Sequence, residues 1–173
     1  MTGEELRALQ APLKERYRQD PAAAMHRHTA QATLDPLEVA CRLDTWAGPV
    51  EAGLHAAAGG DGSWACAGEM LLQALVACAG VTLRAVATAM DIPVRGGSVS
   101  AEGDLDFRGT LGMSRDVPVG FAAVRLTIAL DSDATAEQLA KLVSLTERYC
   151  VVYQTLKSST DLSTRLATDP EST

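Results

Sequence analysis

EMLLQALVACAGVTLRAVATAMD, residues 69–91, is the stretch whose reading decides the fold. Between Met70 and Leu83 it carries no charge. A helix half in water would show a polar face, so a run this apolar reads as a helix buried on most sides. Its Ala, Leu, Met and Gln are strong helix formers, so local propensity agrees. Arg84 and Asp91 close the run, which is shorter than the roughly 18 apolar residues of a membrane span. Cys78 sits in its middle, and Gly80 follows two residues on. Gly inside a helix costs roughly 1 kcal/mol against Ala, which is acceptable where another chain segment passes close. A free buried Cys commonly behaves as a small hydrophobe, so Cys78 taken alone reads as core. A second cysteine far along the chain alters that reading.

Downstream, IPVRGG (92–97) is a turn. SVSAEGDLDF (98–107) alternates as a strand with Val99, Ala101, Leu105 and Phe107 inward, and Gly103 marks a bulge. A Gly- and Pro-rich connection (108–120) leads to a second strand within 119–131, whose core face is Val124, Leu126, Ile128 and Leu130. The two strands pair antiparallel. Thr135 and Gln138 form a capping box that opens one long helix, residues 135–157. Its apolar positions are Leu139, Leu142, Val143, Thr146, Tyr149 and Cys150, so Cys150 lies on the core-facing side. DLSTRLA (161–167) reads as a short closing strand and TDPEST (168–173) as a frayed tail.

Upstream, LEVACRLD (37–44) alternates with Cys41 on the inner face, TWAGP (45–49) turns the chain, and VEAGLHAAA (50–58) returns as the second strand of a hairpin. GGDGS (59–63) is a loop; no Lys-Ser/Thr follows it, so it is not a phosphate loop. Cys66 in the lead-in to the central helix stays ambiguous, near Cys78 or incidental. Residues 1–34 read as a helical arm, distinct from a domain at 35–173. Thr2 and Glu5 cap its first helix, and Pro12 breaks or restarts it as a second, charged helix. Leu13 and Tyr17, four apart, can anchor one edge.

Strands come in runs rather than alternating singly with helices, so the class is α+β with antiparallel sheets around buried central helices. One chain of 173 residues supplies little cover for so apolar a helix, which points to an intimate homodimer. The net charge of −7, with no basic run, excludes electrostatic binding of nucleic acid or anionic membrane. MTGEELRALQ lacks the features of a secretory signal, so the expected location is the cytoplasm. No pair among Cys41, Cys66, Cys78 and Cys150 has C-x-x-C spacing, and His26, His28 and His55 share no helical face with a Glu. Neither a metal nor an organic cofactor is expected.

The pattern Glu-x-Leu-Leu-x-Ala-Leu-x-Ala-Cys at 69–78, together with EGDLDFRGTLG (102–112) and ERYCVVYQTL (147–156), resembles the OsmC/Ohr family of osmotically inducible and organic-hydroperoxide-resistance proteins. The resemblance covers roughly residues 36–168. It implies an intertwined α+β dimer and a thiol-dependent peroxidase acting on organic hydroperoxides. Carried over, Cys78 is peroxidatic and forms a sulfenic acid, and Cys150 resolves it as a disulfide. A dithiol, in this family often a lipoylated protein, regenerates the pair. The Ohr branch sets a glutamate ten residues before the reactive cysteine, paired with an arginine from the first hairpin loop. Here that position is Gly68, and Glu69 lies nine before, half a helical turn out of phase. Glu69 acts as an orienting group only from an irregular helix start or on the other subunit. The hairpin turn holds no arginine; Arg42, Arg16, Arg18 and Arg148 are candidates to replace it, and His55 is a candidate assistant. A pocket of Leu71, Leu75, Val81 and the Tyr149 side suits a fatty or aromatic hydroperoxide. Two other readings stay open: a hydrophobic-ligand binder, favoured by the missing arginine, and a redox-sensing stress protein without turnover.

Overall fold

The computed structural model describes residues 1–167; the tail TDPEST lies outside the described residues. The central helix α2 (Ala67–Ala89) starts and ends two residues earlier than the sequence pattern indicates. Only Leu75, Ala79, Leu83 and Ala87 of it are buried, one stripe at a spacing of four. Ala74, Ala77 and Val81 on another face are exposed, so in the single chain the helix is covered on one side rather than on most. At 23 residues it is long and apolar enough to cross a membrane. Its partners inside this fold make it a core helix instead.

Those partners come from both sides of the chain. Strands β5 (Gly96–Asp104) and β6 (Ala123–Asp131) form the expected antiparallel pair, with Val99 opposite Ile128. Leu126, Ile128 and Leu130 face the core, and Val124 is exposed. Gly103 pairs regularly with Val124 and forms no bulge; a Cβ there would meet the Phe121 ring at 2.6 Å, so the glycine makes room for Phe121. Phe107 opens a one-turn helix α3 (Phe107–Thr110) instead of ending the strand, because Asp106 caps the Arg108 N–H. Val99 passes close to Gly80, as the glycine implied.

The expected long C-terminal helix is broken. Helix α4 (Ala136–Tyr149) opens with the Thr135–Gln138 capping box and stops at Cys150, whose ψ of 111° is extended; α5 (Val151–Lys157) begins at the next residue. Leu142 and Thr146 are fully buried, the Thr146 hydroxyl donating to the Leu142 carbonyl at 2.8 Å. Tyr149, expected on the core side, is 58% exposed. Residues 161–167 form no strand, and Leu162 and Leu166 face solvent.

The N-terminal half builds a second sheet, β1 (Ala32–Leu34), β2 (Ala40–Thr45), β3 (Gly48–Gly53) and β4 (Ala65–Cys66), in that order. The β2–β3 hairpin forms as expected, but its first strand begins at Ala40 rather than Leu37, leaving Leu37 and Val39 exposed, and its second ends at Gly53; His55 then caps a short 3-10 turn by accepting from the Ala57 N–H. Half-buried Cys41 faces Ala52 on the inner side. β4 pairs with β3 in parallel and runs directly into α2. Helix α1 (Gly3–Gln19) carries the Thr2–Glu5 capping box and runs unbroken through Pro12. Acidic Glu4 and Glu5 at its start and basic Arg16 and Arg18 at its end favour the continuous helix over a restart. Its start docks on the far end of α2, where Arg7 donates to the Ala89 carbonyl and a Cβ on buried Gly3 would meet the Thr88 carbonyl at 2.7 Å.

Candidate functional site

Cys78 and Cys150 meet where α2 passes the break between α4 and α5. Leu75, Ala79 and Cys150 form one buried cluster, with Cys78, Val99, Leu126, Val152 and Tyr153 packed on it. Cys150 is 1% exposed and Cys78 half-buried, and both are free thiols. The helix break decides the local chemistry. The first N–H groups of a helix have no partner within it. Here the Tyr153 N–H donates to the Cys150 sulfur at 3.5 Å, and the Val152 and Val151 N–H groups favour negative charge on the Cys78 sulfur. The Gln154 N–H closes the turn on the Cys150 carbonyl at 2.9 Å.

The two thiols are thereby driven apart in acidity. Burial opposes charge on Cys78, but the Val152 N–H, the Cys150 thiol, the Val151 N–H and the Thr82 hydroxyl all hydrogen-bond its sulfur and together hold its pKa below the ordinary 9.0. Burial pushes Cys150 up, and its role as donor to Cys78 adds to that. So Cys78 is the more acidic of the two thiols, and Cys150 the one that holds its proton more firmly. Alkylation by iodoacetamide should therefore titrate Cys78 below the ordinary thiol value and Cys150 above it. In Cys150→Ala the Cys78 profile should move upward, because a donor to its thiolate is lost; an unmoved profile would contradict the hydrogen bond.

The other candidates lie elsewhere. Glu69 is exposed in the first turn of α2, about 13 Å along the axis from Cys78. Arg42 sits on β2 opposite Thr33 and Glu51, with Asp44 at 3.9 Å. Arg18 pairs with Glu15 on α1, which Arg16 shares. His55 stacks on Phe107 at 4.9 Å. Arg148 lies over the Tyr149 ring at 5.5 Å and lines an open cavity with Cys150, Val151 and Gln154, so it is the weighed arginine that shares a cavity with a site cysteine. Cys66 caps α2 with its backbone, twelve residues and about 18 Å of helix from Cys78. The expected pocket is divided. Leu71 and Leu75 line a cavity of about 630 Å³ with Phe121, Leu126 and Tyr153, while Val81 lines a separate one of about 610 Å³. Among the described residues no three His, Cys, Asp or Glu side chains converge as metal ligands. Thr82, one turn after Cys78, was legible from spacing alone; the backbone donors of Val151 and Val152 were not, because they exist only if the helix breaks.

An α+β protein with an asymmetric thiol pair at its centre is the class that fold and site define. The family model for OsmC-like proteins matches residues 60–165, and the chain belongs to that family. The fold is similar to that of an OsmC-like protein from Mycoplasma pneumoniae, with a TM-score of 0.64 and 15% identity over 78% of this chain and 89% of that one. It is also similar to an organic hydroperoxide resistance protein OsmC from Legionella pneumophila (0.60, 18%, 77% and 92%) and to the organic hydroperoxide resistance protein OhrB of Bacillus subtilis (0.52, 18%, 76% and 93%). At such identities the likeness is one of fold. Among curated proteins, none matches the sequence.

Proposed function

We propose that the protein is a thiol-dependent peroxidase that reduces organic hydroperoxides. The observation that supports this best is the contact between half-buried Cys78, made the more acidic thiol by its donors, and buried Cys150, whose acidity is lowered. The Cys78 thiolate attacks the outer peroxide oxygen; the O–O bond breaks, the alkoxide takes a proton from solvent and leaves as the alcohol, and Cys78 keeps the OH as a sulfenic acid. The charge that held the Cys150 proton is then gone. Cys150 attacks the sulfenic sulfur, its proton leaves with the hydroxide as water, and the disulfide forms. An external dithiol, free or lipoyl-borne, restores both thiols. Leu75, Leu126 and Tyr153 pack on the thiol cluster and also wall the neighbouring apolar cavity with Leu71 and Phe121, which favours fatty or aromatic hydroperoxides over hydrogen peroxide. Turnover of cumene hydroperoxide with dihydrolipoamide is the test. Peroxide left unconsumed, with all four thiols still titratable afterwards, would overturn the reading.

The working unit is a homodimer, acting in the cytoplasm. Val81 is 72% exposed on an apolar helix face and Trp46 fully exposed at the hairpin tip, more unpartnered apolar surface than a monomer carries. Sedimentation should give about twice 18.2 kDa, and Val81→Glu should shift the protein toward half that mass. A wild-type monomer at micromolar concentration would refute the dimer. One observation favours a hydrophobic-ligand binder as a second reading: neither cysteine lines the Leu71–Leu75 cavity. That reading expects saturable binding of a fatty acid with no peroxide consumed.

A further inference from the structure

Resolution asks more of Cys150 than nearness. In the reduced protein its sulfur is engaged as the side-chain cap of α5, accepting from the Tyr153 N–H at 3.5 Å. To form a disulfide the sulfur must leave that donor and close on Cys78. Oxidation of the Cys78 thiolate removes the sulfur charge that the Val151 and Val152 N–H groups favour. Three of the four first-turn N–H groups of α5 therefore lose or weaken their sulfur partners during the same step. Beyond these, the helix is held by Val152 and Tyr153, which pack half-buried on the thiol cluster. It has no buried residue, and the chain after it, residues 158–167, forms no regular structure.

What survives is Gln154. Its N–H donates to the Cys150 carbonyl at 2.9 Å, and its side-chain Nε2 donates to the Glu147 carbonyl at 2.8 Å. Glu147 is in the last turn of α4, so this one residue spans the break and ties the first turn of α5 to the end of α4. The Glu147 carbonyl is among the last four of α4, which have no partner inside an uninterrupted ladder. Neither of the Gln154 bonds involves sulfur, so both persist while the sulfurs change partners.

We infer that Gln154 is a positioning residue for the resolving step, a brace that keeps Cys150 within reach of the Cys78 sulfenic acid while α5 loses its sulfur caps. The inference rests on the peroxidase reading above. Its consequence is a branch point. A sulfenic acid that waits too long for Cys150 meets a second hydroperoxide, which oxidises it to the sulfinic acid and leaves as the alcohol. Loosening the brace shifts the outcome from disulfide toward sulfinic acid. One neutral hydrogen bond commands a factor of about five.

The test is the ratio of Cys78 sulfinic acid to Cys78–Cys150 disulfide, read by mass spectrometry after graded cumene hydroperoxide without reductant. It compares wild type with Gln154→Ala, Gln154→Glu and Gln154→Lys. The Glu variant keeps the length and loses the donor; the Lys variant restores a donor. Ala and Glu should raise the ratio about fivefold and Lys should return it toward wild type. The change should fall on this ratio and not on consumption of the first peroxide equivalent. Hydrogen exchange at Val151–Tyr153 in the reduced variants should rise for Ala and Glu and not for Lys. Gln154 is exposed, so the variants keep their fold. Ratios equal to wild type, a Lys variant as impaired as Ala, or an equal slowing of the first step would each overturn the inference. Wild type that forms the disulfide alongside unshifted variants overturns this inference alone; wild type that forms none overturns the peroxidase reading with it.

Discussion

Cys78→Ser lowers organic hydroperoxide turnover to background, a fall of about a thousandfold or more, the scale on which removal of an enzyme nucleophile acts. The serine hydroxyl ionises far above any pH at which the protein is folded, so the donors around position 78 have no anion to hold. Two backbone N–H groups, a thiol and the Thr82 hydroxyl all favour charge on that one sulfur. A neutral hydroxyl accepts more weakly from the same groups, and it lacks the polarisable electron pair that attacks the O–O bond. Because Ser is close to isosteric, the fold should be kept, with a thermal midpoint near that of wild type. The measurement is consumption of cumene hydroperoxide with dihydrolipoamide in wild type and Cys78→Ser at equal concentration. Comparable turnover in both would move the chemistry to another cysteine, with Cys66 the next to replace.

Leu142→Ala costs about 2–5 kcal/mol of stability, the range for truncating a fully buried leucine. Leu142 has no exposed surface and joins Leu83, Ala87 and Ile92 in one core cluster, against which Val86, Ile128, Leu130 and Leu139 pack. It thus ties α4 to α2 and to the β5–β6 sheet at once. Truncation leaves a cavity among elements that cannot all move inward, so relaxation recovers little. Urea unfolding at fixed protein concentration reads the loss directly. Leu142→Met, which nearly conserves volume, should lose less than about 1.5 kcal/mol. A loss under about 1 kcal/mol for Leu142→Ala would mean that this cluster does not carry the core.

The pattern of the central helix was readable because it needs only local rules: helix formers, no charge, a cysteine at mid-length. The β5–β6 pair and both capping boxes were readable for the same reason, since alternation and Ser/Thr-x-x-Glu/Gln spacing are local. The break at Cys150 was not. Tyr149, Cys150, Val151 and Val152 contain neither Gly nor Pro, and the apolar period continues through them. At the break Cys150 is extended and its sulfur caps the next helix by accepting from the Tyr153 N–H, a cap that no Ser, Thr, Asn or Asp announces. Strands β1 and β4 escaped because they are three and two residues long and exist only as partners of neighbours. Glu69 was weighed from a family pattern that this chain keeps only in part and Arg42 as a stand-in for its arginine; within one chain Glu69 lies in the first turn of α2 and Arg42 on β2 beside Asp44. Among the groups that favour charge on the Cys78 sulfur are backbone N–H groups, which no residue type announces.

The docking of the N-terminal helix on the far end of α2 has a consequence in time. Thr2, Glu5 and the residues between them form their helix from local bonds alone, which takes about a microsecond or less. Gly3 and Arg7 find their places only against Thr88, Ala89 and Asp91, more than eighty residues later in the chain. Contacts so distant in sequence carry a large closure entropy and form late. The helix precedes α2 in the chain, so during synthesis it has nothing to lie against until α2 has emerged. It takes shape early and is among the last to arrive.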